Sequence, residues 1–240
     1  MPMTGKSPEQ ARPLTIVEPV TDPAPPVRTR DRERTRADLL QVATESFAES
    51  GFSGTRVDDI AERTRTTKRM IYYYFGGKEE LYLAVLEKAY RGIREAEQSL
   101  EVGDLAPVEA LRRIAELTYD HHLNHSEFIR LVSIENIHRG AFIRRLGALR
   151  ELNQPALGVL DTVLRRGRAE GIVRDDVDAL DVHLVISSYC FFQVANQYTF
   201  GFLFDRDLLA TDRRDHLRGM IGDIVVAWLT APPRPGEAHG

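Results

Sequence analysis

The sequence predicts an all-α protein of about nine helices. Ten of the twelve prolines lie in the first 26 or the last nine residues, and only Pro107 and Pro155 interrupt the chain between them. Apolar residues in that proline-poor region recur mostly three or four positions apart, which is the spacing of helices and not of strands. At 240 residues the chain is long enough to bury one sizeable core or two modest ones.

The expected organisation is two helical domains between two tails. Residues 1–27 and 232–240 are rich in proline and are expected to be disordered. We expect residues 28–77 to form a small three-helix domain. Residues 78–231 are then expected to form the larger domain, which a long helix joins to the first.

The first helix is expected at about residues 31–50. Leu40, Ala43 and Phe47 share one of its faces at i, i+3 and i+7. Gly51 then supplies the left-handed residue that commonly ends a helix. This pattern indicates a short amphipathic helix that opens the folded region.

Two brief helices are expected next. Thr55 followed three positions later by Asp58 matches a capping box and predicts the start of the second helix. Thr67 is expected to start the third helix, with its hydroxyl capping free amide groups. Ile71 and Phe75 then point inward at i and i+4, and a glycine pair ends the helix.

A long helix begins at Lys78 and is expected to reach about Leu100, connecting the two domains. Further helices follow after a breaker cluster at residues 103–107. The later helices are expected at about 107–124, 126–138, 141–168, 178–199 and 208–230. Pro155 is expected to bend or break the third of these, and Asp175, Asp176 and Asp178 suit the start of the fourth.

Composition excludes several classes of protein. The single cysteine, Cys190, rules out an internal disulfide, and no run approaches the ~20 apolar residues needed to span a bilayer. The N-terminus lacks the apolar block of a secretory signal, so we expect a cytoplasmic protein with no membrane partner. Because the net charge is −4, any affinity for nucleic acid must come from locally clustered basic residues.

One segment reverses the overall acidic balance. Between residues 63 and 78 there is no acidic residue and there are five basic ones, namely Arg63, Arg65, Lys68, Arg69 and Lys78. Such a cluster attracts phosphates, and a helix that enters the major groove presents its N-terminal residues to base edges. Here those residues are Lys68, Arg69 and Met70, and lysine or arginine there favours guanine.

Aromatic and hydroxyl groups lie among these cations. Tyr72 and Tyr73, with the hydroxyls of Thr55 and Thr67, can meet the sugar-phosphate backbone. The alternative is that the run 72–75 is a core stripe, although three adjacent tyrosines cannot all face inward on one helix. For Tyr74 and Phe75 the core interpretation is at least as good as DNA contact.

The same segment resembles the N-terminal domain of tetracycline-repressor-type regulators. The resemblance is carried by Gly51-Phe52, Thr55, Asp59-Ile60-Ala61, Thr67-Lys68, Ile71-Tyr72-Tyr73-Tyr74-Phe75 and Lys78-Glu79-Glu80-Leu81. It implies that the third helix reads an operator and that Lys78 touches phosphate at the start of the fourth helix. It also implies that Tyr72 and Tyr73 contact the DNA backbone or bases.

The chain departs from that family's pattern in the turn and on the reading helix. Arg65 and Thr66 stand where members commonly have a glycine and an apolar residue, and Arg69 replaces a small residue. Arg65 is therefore a candidate phosphate contact and Arg69 a candidate base contact. Arg56 is a further phosphate candidate, with a merely solvated arginine as the alternative. The expected DNA contacts are Thr55, Arg56, Arg65, Thr67, Lys68, Arg69, Met70, Tyr72, Tyr73 and Lys78.

Ahead of the first helix, arginines alternate with acids. Arg28, Arg30, Arg32, Arg34 and Arg36 are interspersed with Asp31 and Glu33. This arm either lies along phosphates or the minor groove, or is a solvated charged segment whose acids weaken its field.

For the larger domain, the resemblance implies a small-molecule pocket and a homodimer in which the last two long helices pair into a four-helix bundle. The segment 128–139 also resembles regulators related to the pyrimidine-utilisation repressor. Polar groups among apolar neighbours are the candidates for a pocket. The candidate ligand residues are Phe128, Glu135, Asn136, Arg139, Phe142, Tyr189, Phe192, Gln193 and Asn196. An ion pair between Glu135 and Arg139 and a core role for the aromatics are the alternatives.

The sequence therefore predicts a ligand-responsive DNA-binding regulator with no cofactor. We expect a homodimeric repressor that binds a palindromic operator and is released by a small-molecule effector. One alternative is a metal-responsive regulator that uses His121 and His125, which are spaced i, i+4. Another is an architectural DNA-binding protein without a ligand. An enzyme is not expected, because the sequence has no phosphate-binding glycine loop and no nucleophile elbow.

Overall fold

The computed structural model describes residues 27–232, apart from the side chains of residues 27–30, 148 and 150–156. Within that part of the chain the structure is helical and contains no strand, which confirms the all-α prediction. The α-helices are α1 Val27–Gly54, α2 Val57–Arg63, α3 Lys68–Phe75, α4 Lys78–Gln98, α5 Pro107–Asn124, α6 Ser126–Ile137, α7 Ala148–Ala169, α8 Ala179–Ala195, α9 Gln197–Phe204 and α10 Arg214–Thr230. The predicted tails fall almost wholly outside the described residues.

The main differences from the expected elements lie in the later helices. The segment after α6 reverses at Arg139 and Gly140, which both have positive φ, so α7 begins at residue 148 and not 141. α7 then continues through residue 155 as one helix. The helix expected at 178–199 divides at Asn196 into α8 and α9, and α10 begins at residue 214 after a short 3-10 turn, Thr211–Arg213.

Two predicted N-terminal caps are wrong. Thr55 is buried, and its hydroxyl donates to the carbonyl oxygens of Ser46 at 2.9 Å and Gly51 at 2.8 Å instead of capping α2. Thr67 occupies the N-cap position of α3, but its side chain makes no capping hydrogen bond. A capping box does start α8, where Asp178 accepts from the backbone of Asp181, in agreement with the acidic start expected there.

Apolar side chains form two main cores and a small third one. The first core is built on α1 to α4 and includes Phe47, Ile60, Ile71 and Tyr82, together with Leu131 of α6. The second lies among α5, α7, α8 and α10, and the third joins Ile93 of α4 to α6 and α8. The first two turns of α4 belong to the N-terminal core, and its later turns belong to the larger helical unit. α4 therefore connects both parts of the protein mechanically.

Candidate nucleic-acid interface

The turn between α2 and α3 closes on backbone hydrogen bonds. The amide of Thr66 donates to the carbonyl oxygen of Ala61 at 2.9 Å, and Arg65 lies in the left-handed region with φ 53°. A residue with a Cβ pays about 1–2 kcal/mol for that conformation, which explains why glycine is favoured at such a position. The Arg65 side chain is exposed beside the start of α3.

Replacing Arg65 with glycine is expected to raise the free energy of unfolding by roughly 0.5–1 kcal/mol, because the left-handed strain disappears while some chain entropy is lost. The same change is expected to weaken DNA binding and to reduce the salt dependence by about one phosphate contact per protomer. Denaturant unfolding and binding at several salt concentrations measure the two effects. Arg65→Ala is the matched control, since it removes the cation but keeps the strain; stabilisation by Arg65→Ala would contradict this account.

Helix α3 has one buried face and one exposed face. Ile71 is fully buried, and Tyr74 and Phe75 pack partly buried against the first core. Tyr72 and Tyr73 are 49% and 58% exposed. The aromatic run therefore divides into two outward tyrosines and two inward rings.

The N-terminal turn of α3 faces solvent. Lys68 and Arg69 are exposed and Met70 is half-buried. Lys68 makes an ion pair of 3.3 Å with Asp58, and both side chains are about half exposed. Such a solvated ion pair contributes little to stability, so Lys68 can exchange Asp58 for a DNA contact at a small cost in free energy. Arg56, at the N-cap of α2, is also exposed on this side of the protein.

The first turns of α1 lie beside the aromatic end of α3. The guanidinium carbon of Arg32 is 5.4 Å from the ring centroid of Tyr73, and that of Arg36 is 5.0 Å from the ring of Phe75. Both arginines belong to α1, so this part of the basic arm at residues 28–36 is helical and packs against α3. The side chains of Arg28 and Arg30 lie outside the described residues.

Two other basic residues have partners inside the N-terminal unit. Arg63 pairs with Glu45 at 2.6 Å and donates to the hydroxyl of Ser46, which attaches α2 to α1. The Lys78 ammonium lies 4.6 Å from the ring centroid of Phe52, and partial burial lowers the pKa of Lys78. Lys78 is thus placed at the start of α4 by packing against the C-terminal end of α1.

A buried carboxylate links α6 to this unit. Glu135 Oε1 accepts from the Tyr82 hydroxyl at 3.0 Å, and its Oε2 accepts from the amides of Phe142 at 3.1 Å and Ile143 at 2.9 Å. Phe142 also packs against the rings of Phe52 and Tyr82. Burial and the nearby carboxylate raise the pKa of Tyr82, so its hydroxyl remains a donor. The loop between α6 and α7 is therefore docked on the N-terminal core, a contact that sequence reasoning missed.

The predicted ligand residues do not converge on one cavity. Glu135 and Phe142 face the N-terminal unit, whereas the Tyr189 hydroxyl donates to the carbonyl of Leu217 in α10. Arg139 is exposed, and the alternative ion pair with Glu135 does not form, because that carboxylate accepts from Tyr82 and the loop amides instead.

The other candidates are equally dispersed. Phe128 is buried beside Tyr90, Phe192 is 44% exposed, and Asn136 donates to its own helix. Gln193 is buried, and Asn196 lies at the end of α8. Ligand binding by these residues stays a prediction.

A buried polar cluster that the sequence analysis did not single out lies deeper in the larger unit. Arg94 and Glu97 of α4 are 6% and 7% exposed and form an ion pair of 2.5 Å. The guanidinium Nε of Arg94 has no hydrogen-bond partner. Two buried histidines of α5, His121 and His122, and the half-buried His183 of α8 complete the cluster. Only His121 of this cluster was a candidate from the sequence, as a metal ligand, and the sequence signal for Arg94 and Glu97 is a charged pair on the apolar face of α4.

The geometry does not support the metal-responsive alternative. The rings of His121 and His125 are stacked, with centroids 4.1 Å apart, and the Nδ1 of His125 lies 2.9 Å from a backbone carbonyl oxygen. Within the described part of the chain, no group of three histidine, cysteine or acidic residues is arranged to hold a metal ion. Stacked rings direct their lone pairs side by side and not toward a common centre.

Comparison with known proteins decides the family. Residues 39–85 match the family model described as bacterial regulatory proteins, tetR family, and residues 107–225 match the tetracyclin repressor-like C-terminal domain. The chain is 34% identical over 203 residues to the HTH-type transcriptional repressor NicS of Pseudomonas putida, covering 85% of this chain and 96% of that protein. The chain belongs to the TetR family. It is thus a DNA-binding transcriptional regulator, and the resemblance seen in its sequence is confirmed.

Other TetR-family proteins match less of the chain. The repressor SCO4008 of Streptomyces coelicolor is 30% identical over 155 residues, covering 64% of this chain and 74% of that protein. The regulator RutR of Escherichia coli is 32% identical over 108 residues, covering 45% of this chain and half of its own length. Among solved structures, the putative regulator SCO4942 of Streptomyces coelicolor matches with a TM-score of 0.62 at 26% identity, covering 84% of this chain and 99% of that one.

Proposed function

We propose that this TetR-family regulator is a homodimeric repressor that binds a palindromic operator and releases it when a small-molecule effector binds. The observation that carries the proposal is the division of α3, whose inner face is anchored by Ile71 while Lys68, Arg69, Tyr72 and Tyr73 face outward. A short helix anchored on one face and cationic on the other suits a major groove. NicS and SCO4008 are named as repressors, which supports the direction of control.

In the proposed complex the outward residues have separate roles. Lys68 and Arg69 face base edges with Met70 beside them, while Tyr72, Tyr73 and Thr67 meet the DNA backbone. Arg56, Arg65 and Lys78 add phosphate contacts around this helix. Thr55 is left out, because its hydroxyl already serves two carbonyl oxygens inside the domain.

The dimer is proposed to form through α8 and α10. Leu180, Leu184 and Phe192 are 58%, 62% and 44% exposed along α8, and Ile224 of α10 is 42% exposed. Leu180 and Leu184 are spaced i, i+4 on α8, and Phe192 follows eight positions later. Exposed apolar side chains of this kind are disfavoured in water and can be covered by a second copy. Two copies related by a twofold axis would place their reading helices one DNA turn apart, roughly 34–36 Å.

The effector is proposed to act through α4. This helix holds Lys78 and Tyr82 against the N-terminal core and Arg94 and Glu97 in the larger unit. A shift of its far end would therefore change the spacing of the two reading helices. An architectural DNA-binding protein without a ligand would not need a helix that transmits movement from the larger unit to the N-terminal core. We also propose that the protein is cytoplasmic and has no catalytic activity. Separately, no helix among residues 27–232 is both long and apolar enough to cross a bilayer.

Leu184→Asp is expected to convert the dimer to a monomer and to weaken operator binding roughly 100-fold or more, because each half-site would then be bound separately. Light scattering gives the mass, and a gel-shift titration with the DNA upstream of the gene gives the affinity. Ile137→Asp, at an even more exposed apolar position on α6, is the matched control and is expected to remain dimeric. A Leu184→Asp protein that stays dimeric and binds normally would contradict the proposed interface.

A further inference from the structure

The buried ion pair of α4 lacks one partner. Within the described part of the chain, the Arg94 guanidinium makes one hydrogen bond, from Nη1 to Glu97 Oε2, and its Nε is buried without an acceptor. A buried donor without a partner is costly, and a buried ion pair is itself weak evidence of a stabilising role. The open side of a guanidinium fits the two oxygens of a carboxylate.

The groups around this pair are neutral donors and acceptors. Burial lowers the pKa of His121 to about 3 and that of His122 to about 4, and it raises the pKa of Tyr90 to about 12. Burial also lowers the pKa of His183. At neutral pH, Arg94 is therefore the cation of this cluster, and His121 Nδ1 is a second buried atom without a hydrogen-bond partner.

A narrow cavity adjoins the pair on the Glu97 side. Glu97, Thr118 and His183 supply its polar lining, and the rest of its wall is aliphatic. The apolar lining residues are Leu100, Ile114, Leu117, Val159, Leu160 and Ile186. Its volume is about 10 Å³, which is space for no more than one water, so a ligand would have to spread α4 from α5, α7 and α8.

We propose that this site binds an apolar carboxylic acid, with its carboxylate on the open Nε side of Arg94 and its hydrocarbon body among the aliphatic side chains beside Glu97. The inference rests on the proposed function in one respect only, namely that such an acid is the effector. A cation would be repelled by Arg94, and a neutral hydrocarbon would leave Nε unpaired. A phosphate dianion would bring two negative charges to a guanidinium that already pairs with Glu97.

The proposal also assigns a role to Glu97. Burial raises the pKa of Glu97, while Arg94 opposes that shift. In the free protein Glu97 holds the guanidinium, and an incoming carboxylate must share the same cation with it. Replacing the Glu97 carboxylate by an amide of the same shape should therefore strengthen the binding of the acid.

The test uses the purified full chain and two acids, octanoate for a linear body and benzoate for a ring, each paired with its neutral amide at constant sodium chloride. We expect at least one acid to raise the Tm saturably and more than its amide does. Arg94→Met, which keeps much of the apolar volume, is expected to abolish that difference. Failure of both acids to exceed their amides, or an undiminished effect in Arg94→Met, would overturn the proposal.

Glu97→Gln supplies a second test that does not depend on how well Arg94→Met folds. It is expected to lower the midpoint concentration of the active acid several-fold, and an unchanged or raised midpoint would overturn the proposal. DNA binding, measured in parallel, separates the two claims. A protein stabilised by the acid that never binds its upstream DNA would disprove the proposed regulatory function while supporting the carboxylate site.

Discussion

Arg69→Ala and Lys68→Ala are each expected to weaken binding to the operator roughly 10- to 100-fold, since a good contact to a base edge is worth about 1–3 kcal/mol. Both side chains are exposed on the first turn of α3, where a major-groove helix meets base edges. The loss should come with relaxed preference at particular base pairs, which competition with single-substitution operators measures. Lys78→Ala should instead weaken binding to all sequences and reduce the salt slope by about one contact per protomer.

Arg165→Ala is the control for these variants. Arg165 is an exposed arginine on α7 that pairs with Asp161 of the same helix, far along the chain from α3. It is expected to leave affinity and sequence preference unchanged. Base preference that survives the removal of both Lys68 and Arg69 would show that another element reads the DNA.

Glu135→Gln is expected to lower the free energy of unfolding by roughly 2 kcal/mol, or the Tm by roughly 4–8 °C. The carboxylate accepts on both oxygens, from the Tyr82 hydroxyl and from two loop amides. The amide oxygen of glutamine can still accept from both loop amides, but its NH2 group then donates to the Tyr82 oxygen, so the Tyr82 hydroxyl loses its acceptor and the second amide proton stays unpaired. Thermal unfolding followed by circular dichroism measures the effect.

Two further variants define the contribution of this contact. Tyr82→Phe removes a single donor and is expected to cost about 1 kcal/mol. Glu127→Gln changes a partly exposed acid on the same helix and is expected to be neutral. Because the docked loop joins the two parts of the protein, Glu135→Gln should also weaken the response of DNA binding to an effector. Equal stability of the Glu135→Gln and Glu127→Gln proteins would contradict the assigned role.

The local pattern of the sequence predicted much of the N-terminal unit. Helical spacing and the glycines predicted the ends of α1 to α4 to within a few residues. The helical period of α3 predicted that Ile71 is buried and that Tyr72 is exposed. The unusual arginine in the turn was visible from the sequence, and the structure adds that its backbone is left-handed. These features depend on residues that are close along the chain, so one sequence is enough to find them.

Contacts between distant residues could not be predicted in the same way. The bond from Tyr82 to Glu135 spans 53 positions, and the apolar neighbours that made Glu135 a pocket candidate do not indicate which group its carboxylate contacts. The Thr55 hydroxyl donates to carbonyl oxygens of the preceding helix instead of accepting from the first amides of α2. Arg94 looks like any other charged residue of a long helix in the sequence, but it is buried once α4 packs in the larger unit. Tertiary packing decides such cases.

The most direct test of the account is a hydroxyl-radical footprint of the purified protein on the DNA upstream of its gene. We expect two protected half-sites related by a twofold axis, with centres roughly 34–36 Å apart, and loss of both when Lys68, Arg69 and Tyr72 are replaced by alanine. Protection that lacks this symmetry, or that persists in the folded triple variant, would contradict the central claim that α3 reads an operator as part of a dimer.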